Sequence, residues 1–361
     1  MKKLFIMLLS FILIVSFAAC DNTSTSTGEN METKVVTDSL GREVEVPSNV
    51  DSVGSLGVMR LLVYMEANDL VTGATDMDNV SELTRPYTFV HPENADLPVI
   101  GQGGAGGIVP FDEEIIKLEP DVIFVVSDYP QPDELSSKTG IPVVAIASPE
   151  LFDGIMNTSL EIIGEVLGKE DRANEINDYM DKAQKDLNDR TKDISHESKP
   201  TVYNGGVNFK GKHGFDGTSA KYGPFMSINA NNVTDKTDQS GAFTVDLEQV
   251  LEWNPDIIFL NPENMDLVNE QYTKNPEFFN SLGAVNKGEV YTQLSYNNNY
   301  TNVEIALADA YYAGTVIYPE KFKDIDPEKK ADEIFDFLLG EKIYSDFSAA
   351  GQGFGKLTIG K

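Results

Sequence analysis

Three histidines, fourteen tyrosines and a single cysteine are the residues of this 361-residue chain with most scope for chemistry. His213 sits between glycines in Phe209-Lys210-Gly211-Lys212-His213-Gly214, so it reads as a loop imidazole with a stronger case as a ligand than His91 or His196. Tyr296 and Tyr300, in Ser295-Tyr296-Asn297-Asn298-Asn299-Tyr300, and Tyr222, before Gly223-Pro224-Phe225, occupy loops of the same kind. Imidazole nitrogen and phenol oxygen are metal-ligand and hydrogen-bonding groups, whereas three scattered histidines cannot build a closed site for bare zinc or manganese. Catalysis finds no support. There is no Gly-x-Ser-x-Gly elbow, no His-Glu-x-x-His and no cysteine other than Cys20, so no nucleophile and base stand out.

Cys20 has a different meaning. Lys2 and Lys3 precede an apolar run from Leu4 to Phe17, broken by Ser10 and Ser16, and Ala18-Ala19 lead into the cysteine. That is a positive, then apolar, then small-residue order of an export signal, too short for a comfortable membrane span. Phe17-Ala18-Ala19-Cys20 resembles the lipobox of bacterial lipoproteins, with Phe17 where Leu, Val or Ile is usual; the resemblance implies cleavage and acylation of Cys20. The expectation is a chain on the outer face of the cell membrane, held by lipid alone. A formal charge of −30 argues for solubility and against nucleic acid or anionic headgroups as partners.

Those loops must be positioned by an alternating framework. Val53–Leu56, Leu70–Gly73, Val122–Val126 and Val143–Ile146 read as buried strands, and the rhythm returns at Thr201–Tyr203, Ile257–Leu260 and Val290–Tyr291. Between them lie a helical stretch at Leu160–Leu167, a Gly168 stop, and a second helix from about Asp171 with apolar residues at Ala173, Ile176, Met180, Ala183, Leu187 and Ile194. Glu113 to Phe124 also aligns with Glu248 to Phe259, each copy a helix, a Pro-Asp turn and a strand. The expected architecture is α/β, two Rossmann-like lobes joined by one long helix. Its divisions are 1–20 signal, 21–33 flexible tether, 34–148 N-terminal lobe, 149–197 linking helices and 198–361 C-terminal lobe.

This combination resembles the helical-backbone substrate-binding proteins of ABC importers, the class III periplasmic binding proteins that capture ferric siderophores, cobalamin and haem. The residues carrying the resemblance are Thr37-Asp38-Ser39-Leu40-Gly41-Arg42-Glu43-Val44-Glu45-Val46-Pro47, the two Glu-to-Pro-Asp repeats, the linking helix and the closing Phe335–Gly340 helix. It implies a monomeric receptor with no intrinsic cofactor, serving a permease and its cytoplasmic ATPase, and a ligand that is a metal chelate, foremost an iron(III) siderophore. A corrinoid or haem is the alternative, and a lipoprotein adhesin or sensor on the same fold is another class. The family's permease-docking glutamates fall on Glu113 and Glu248, each seven residues before the repeat's proline; arginines of a permease would pair with them.

A ligand between such lobes should touch loops at the carboxyl ends of strands. Met59 and Arg60 follow the first strand of the body, where Arg60 offers a donor fork to an anion or else a structural salt bridge. Gln102 opens Gly101-Gln-Gly-Gly-Ala-Gly-Gly107, with Asp112 as the N-cap of the next helix; the loop lacks the Lys-Ser/Thr ending of a nucleotide P-loop. Tyr129 follows another strand as an aromatic at the cleft mouth. The 204–232 segment, without clear secondary structure, holds Lys210, His213 and Tyr222. Ser295–Tyr300 supplies Tyr296, Asn297 and Tyr300. Relatives that bind siderophores complete an iron shell with tyrosine and histidine from such loops, which makes His213 with Tyr296 the expected metal pair, with Tyr300 or Tyr222 as alternatives for the phenol.

Overall fold

The computed structural model describes residues 32–360, so Cys20, the signal segment and residues 21–31 of the tether lie outside the described residues. β1 (Thr33–Thr37) and β2 (Glu43–Pro47) form an antiparallel hairpin. The buried Asp38 at its turn accepts from the backbone N–H of Leu40 and Arg42 and from Arg42 Nε, each at 3.0 Å, and from Ala145 N–H at 3.0 Å. Gly41 supplies the left-handed residue at φ 76°. The Thr37–Pro47 motif is therefore a peg that pins the hairpin to the first sheet.

That sheet comprises β3 (Val53–Leu56), β4 (Val71–Thr75), β5 (Val99–Gln102), β6 (Val109–Pro110), β7 (Val122–Val126) and β8 (Val143–Ile146), in the order β6-β5-β4-β3-β7-β8. All neighbours are parallel except β5 and β6. The second half contributes β9 (Thr201–Gly205), β10 (Gly217–Ala220), β11 (Asn231–Asn232), β12 (Gly241–Thr244), β13 (Ile257–Leu260) and β14 (Val290–Thr292). Four make a parallel sheet, β11-β9-β13-β14, and β10 pairs with β12 as an antiparallel ribbon. The 204–232 segment is thus not irregular: it carries β10, β11 and a short helix, Gly223–Ser227. Helices Ile155–Leu167 and Glu170–Thr191 link the halves, the second having 22 residues, about 33 Å at 1.5 Å per residue. The fold is α/β with two Rossmann-like lobes joined by a long helix.

The sequence repeat is a mechanical unit. Helix Asp112–Leu118 ends on Glu119 at φ 52°, helix Leu247–Trp253 on Asn254 at φ 41°, and each then meets Pro-Asp. Asp121 Oδ2 accepts from Asp51 N–H and Ser52 N–H at 2.9 and 2.8 Å, and Asp256 Oδ2 accepts from Thr201 N–H and Oγ1–H at 2.9 and 2.8 Å. Each aspartate ties its strand to the start of the neighbouring one. Asp112 is not the N-cap expected of it: Phe111 holds that place, and only the second copy has a side-chain cap, Asp246 accepting from Glu248 N–H at 2.9 Å.

One face of each sheet has its own core, around Leu56, Ile115 and Ile123 in the first and Tyr203, Phe215 and Leu260 in the second. The other faces share a single apolar cluster running from Phe124 through Ile176 and Leu187 of the linking helix to Phe259, Leu307 and Phe335. Helix Pro327–Leu339 packs against helix Met59–Tyr64. Arg172 of the linking helix fastens both, donating to Tyr64 O at 3.0 Å and Phe337 O at 2.6 Å. The lobes are held by a common core as well as by the rod.

Candidate functional site

A cavity of about 820 Å³ opens at the carboxyl ends of β9, β13 and β14 and beside the β10–β12 ribbon. Its other walls include the segment Glu150–Asp153, the short helix bearing Met226, and the face of the linking helix bearing Asp181, Lys185 and Asn188. Tyr222 and Tyr296 line it together, ring centroids 5.3 Å apart, and Asn297 stands at its edge. Burial, with the carboxyls of Glu150 and Asp309 nearby, pushes the Tyr296 phenol far up; burial does the same to Tyr222. Both offer neutral hydroxyls.

The other expected residues lie elsewhere. Met59 is wholly buried in the core, which removes it from any ligand. Arg60 is buried too, and its fork is taken: Nε donates to Asn302 Oδ1 at 3.0 Å, Nη2 to Asn299 O at 2.7 Å, and the guanidinium lies 4.6 Å from the Tyr87 ring centre. His213 stacks on Phe209 at 3.8 Å, its Nε2 2.9 Å from Phe209 O, so it pins its own loop and does not line the cavity with Tyr296. Lys210 is exposed on that loop at φ 50°. Gln102 is exposed at the end of β5 and Tyr129 half-buried after β7, neither on the cavity. Tyr300 donates instead to Asp128 Oδ2 at 3.0 Å. Glu113 and Glu248 occupy the same place, second residue of equivalent seven-residue helices, both exposed. Among the described residues no group of three or more His, Cys, Asp or Glu could hold a metal ion.

Beside the cavity, the stretch Asn298–Asn302 closes the seam between the lobes. Asn298 Nδ2 donates to Thr84 Oγ1 at 2.9 Å, Asn299 Nδ2 to Tyr87 OH at 3.2 Å, and Thr301 Oγ1 to Glu150 Oε2 at 2.7 Å. Asn302 accepts from Arg60 and donates to Thr84 O at 3.2 Å. Asn299 and Tyr300 both take left-handed backbone, φ 53° and 69°, to present these groups.

Residue-type reasoning missed four wall residues. Asn204 and Asn261 are nine-tenths or more buried; Asn204 Oδ1 accepts from Thr218 Oγ1 at 3.3 Å and Asn261 Oδ1 from Glu263 N–H at 3.0 Å, while both Nδ2 groups lack a protein acceptor. Both stand at the carboxyl ends of strands visible in the sequence, the signal that would have found them. Phe152 and Met226 also line the cavity, and Met226 is 55% exposed. Nothing in the sequence marks those two.

The parallel sheets, shared helical spine and cavity at the strand ends are the architecture of a solute-binding protein. A family model for the periplasmic binding proteins matches residues 73–295, and the chain belongs to that family of ABC-importer binding proteins, not to a family of enzymes. The molybdate-binding protein MolA of Haemophilus influenzae is 25% identical over 327 residues, covering 84% of this chain and 90% of that protein. Its molybdate-bound structure matches with a TM-score of 0.67 at 23% identity, over 86% of this chain and 98% of that one. A periplasmic solute binding protein of Veillonella parvula gives 0.70 at 18% identity, over 86% and 94%. Helicobacter pylori CeuE with Ni(II) bound gives 0.62 at 18%, over 85% and 96%. No helix among the described residues is long and apolar enough to cross a membrane.

Proposed function

We propose that this protein captures a metal chelate, foremost a ferric siderophore, and delivers it to an ABC permease driven by a cytoplasmic ATPase. The observation carrying this reading is the cavity: about 820 Å³ falls within the roughly 300–1,000 Å³ of small-molecule sites and far exceeds a bare ion. Its wall mixes tyrosines, amides and apolar groups, which suits a ligand whose metal is already enclosed. A corrinoid or haem fits the same argument. Tyr222, Tyr296 and Asn297 are the sequence-chosen residues retained as ligand contacts. Native mass and absorption spectra of protein purified from its own host test the reading; a bound chelate is the expected result, and ligand-free protein or a bare ion speaks against it.

In this reading acylated Cys20 keeps the receptor at the membrane, and Glu113 and Glu248 dock with the permease. Their equivalent positions on rigid helices of the two lobes support the assignment. The double variant Glu113→Ala/Glu248→Ala should bind ligand normally and lose uptake; unchanged uptake would sink the docking role.

Similarity to the Haemophilus protein favours a second reading, an oxyanion such as molybdate, for which the unpaired amides of Asn204 and Asn261 would be donors.

A further inference from the structure

Two strained residues frame the cavity. Phe152 is held at φ 61° and Lys221 at φ 51°, in the left-handed region that L side chains rarely adopt. Each has a clamp. Asp153 Oδ2 accepts from Glu150 N–H and Oδ1 from Ile155 N–H, both at 2.8 Å, which closes a turn around Phe152. Asp235 Oδ1 accepts from Lys221 N–H at 2.6 Å. Strain that persists because its surroundings over-determine it gathers at functional sites. Glycine would fit φ 61° without strain, yet the chain places there a large aromatic that lines the cavity and is only partly buried. Met226, also lining the cavity, leaves more than half its surface uncovered.

We infer that Phe152 and Met226 are ligand-binding residues that grip an apolar carbon face, so the cargo is a chelate with hydrocarbon on its outside rather than a bare oxyanion. The inference rests on the chelate reading and sharpens it. Phe152 comes from the segment between β8 and the first linking helix and Met226 from the helix after β10, so the two reach the cavity from separate elements. Tyr222 and Tyr296 line the same cavity, as do Asn204 and Asn261. A tetrahedral oxyanion has no apolar surface to cover Met226 or Phe152. A tris-hydroxamate iron complex, a haem or a corrinoid has.

Isothermal titration with four probes tests this: an uncharged iron(III) tris-hydroxamate, haemin, cobalamin and sodium molybdate. The expected result is that wild type binds one of the three chelates, and that Phe152→Gly and Met226→Ala each weaken that binding about tenfold, the scale of losing a buried apolar contact. Phe152→Gly relieves the backbone strain but gives up Phe152's packing on the shared core, so its binding is read at a temperature where circular dichroism shows it folded; Met226→Ala, at an exposed position, provides an independent variant. If wild type binds a chelate and both folded variants bind it within about twofold of wild type, the inference fails and the chelate reading stands. Binding of molybdate alone, or of none of the probes, overturns the chelate reading and the inference with it.

Discussion

The seam between the lobes and the cavity beside it are made from the same residue types, yet they finish their hydrogen bonds differently. In the seam, Asn298, Asn299, Tyr300, Thr301 and Asn302 all engage partners, and Arg60 donates through Nε and Nη2. In the cavity wall, Asn204 and Asn261 keep buried amide groups without a protein acceptor, Met226 stays uncovered and Phe152 is strained. One continuous stretch serves both, since Tyr296 and Asn297 line the cavity and the next five residues fasten the seam. Satisfied polar groups fix one arrangement, whereas unfinished ones lower stability in favour of what binds there. The shared core and the fastened seam also argue that the lobes do not swing freely about the linking helix.

The largest way to break the comparison is Arg60→Ala, which strips Asn302 Oδ1 and the Asn299 carbonyl of the guanidinium donor and should cost about 3 kcal/mol in urea unfolding. A loss near zero would mean that the seam does not hold the lobes. A pH effect comes from behind the cavity wall. Asp309 accepts from Leu294 N–H at 3.0 Å and its carboxyl is raised well above the usual range by burial. The folded state therefore keeps a proton that the unfolded state releases, so this contribution is full below the ordinary carboxylate range and is lost as pH rises toward the raised value. Asp309→Asn should flatten that decline in melting temperature between acid and neutral pH, and an unchanged slope would assign it to Glu304 or Asp78, whose carboxyls are also raised by burial. Tyr300→Phe, losing only the bond to Asp128, should cost about 1 kcal/mol in the same urea assay. Smallest of all, Asn204→Leu should leave stability within about 0.5 kcal/mol, because it trades a long bond to Thr218 for removal of an unpaired donor. A cost as large as Arg60→Ala would erase the distinction between seam and cavity.

Much of the framework was legible because parallel strands buried on both faces read as unbroken Val, Ile, Leu and Phe runs. The Pro-Asp repeat was visible too, though its aspartate's work on the neighbouring strand was not. The ribbon escaped notice, since Gly217-Thr-Ser-Ala220 and Gly241-Ala-Phe-Thr244 carry no alternating apolar pattern. Among the expected contacts, Tyr222, Tyr296 and Asn297 reach the cavity to which the strand-end rule points. His213 does not, because glycine neighbours announce a loop but not that Phe209, four residues earlier, will stack on the ring. Arg60 sits at the correct strand end, but an entirely buried helix turns it toward the seam. Phe152 was hidden because its conformation is imposed by Asp153 closing a turn, an event of tertiary geometry.

The most direct test is a crystal structure of the protein carrying the ligand it acquires in its own host. The account predicts density for a chelate in contact with Phe152, Met226, Tyr222 and Tyr296, with the Arg60–Asn302 bond intact. A ligand lodged instead at the Gly101–Gly107 loop, or a split seam with the ligand on Arg60, would contradict it.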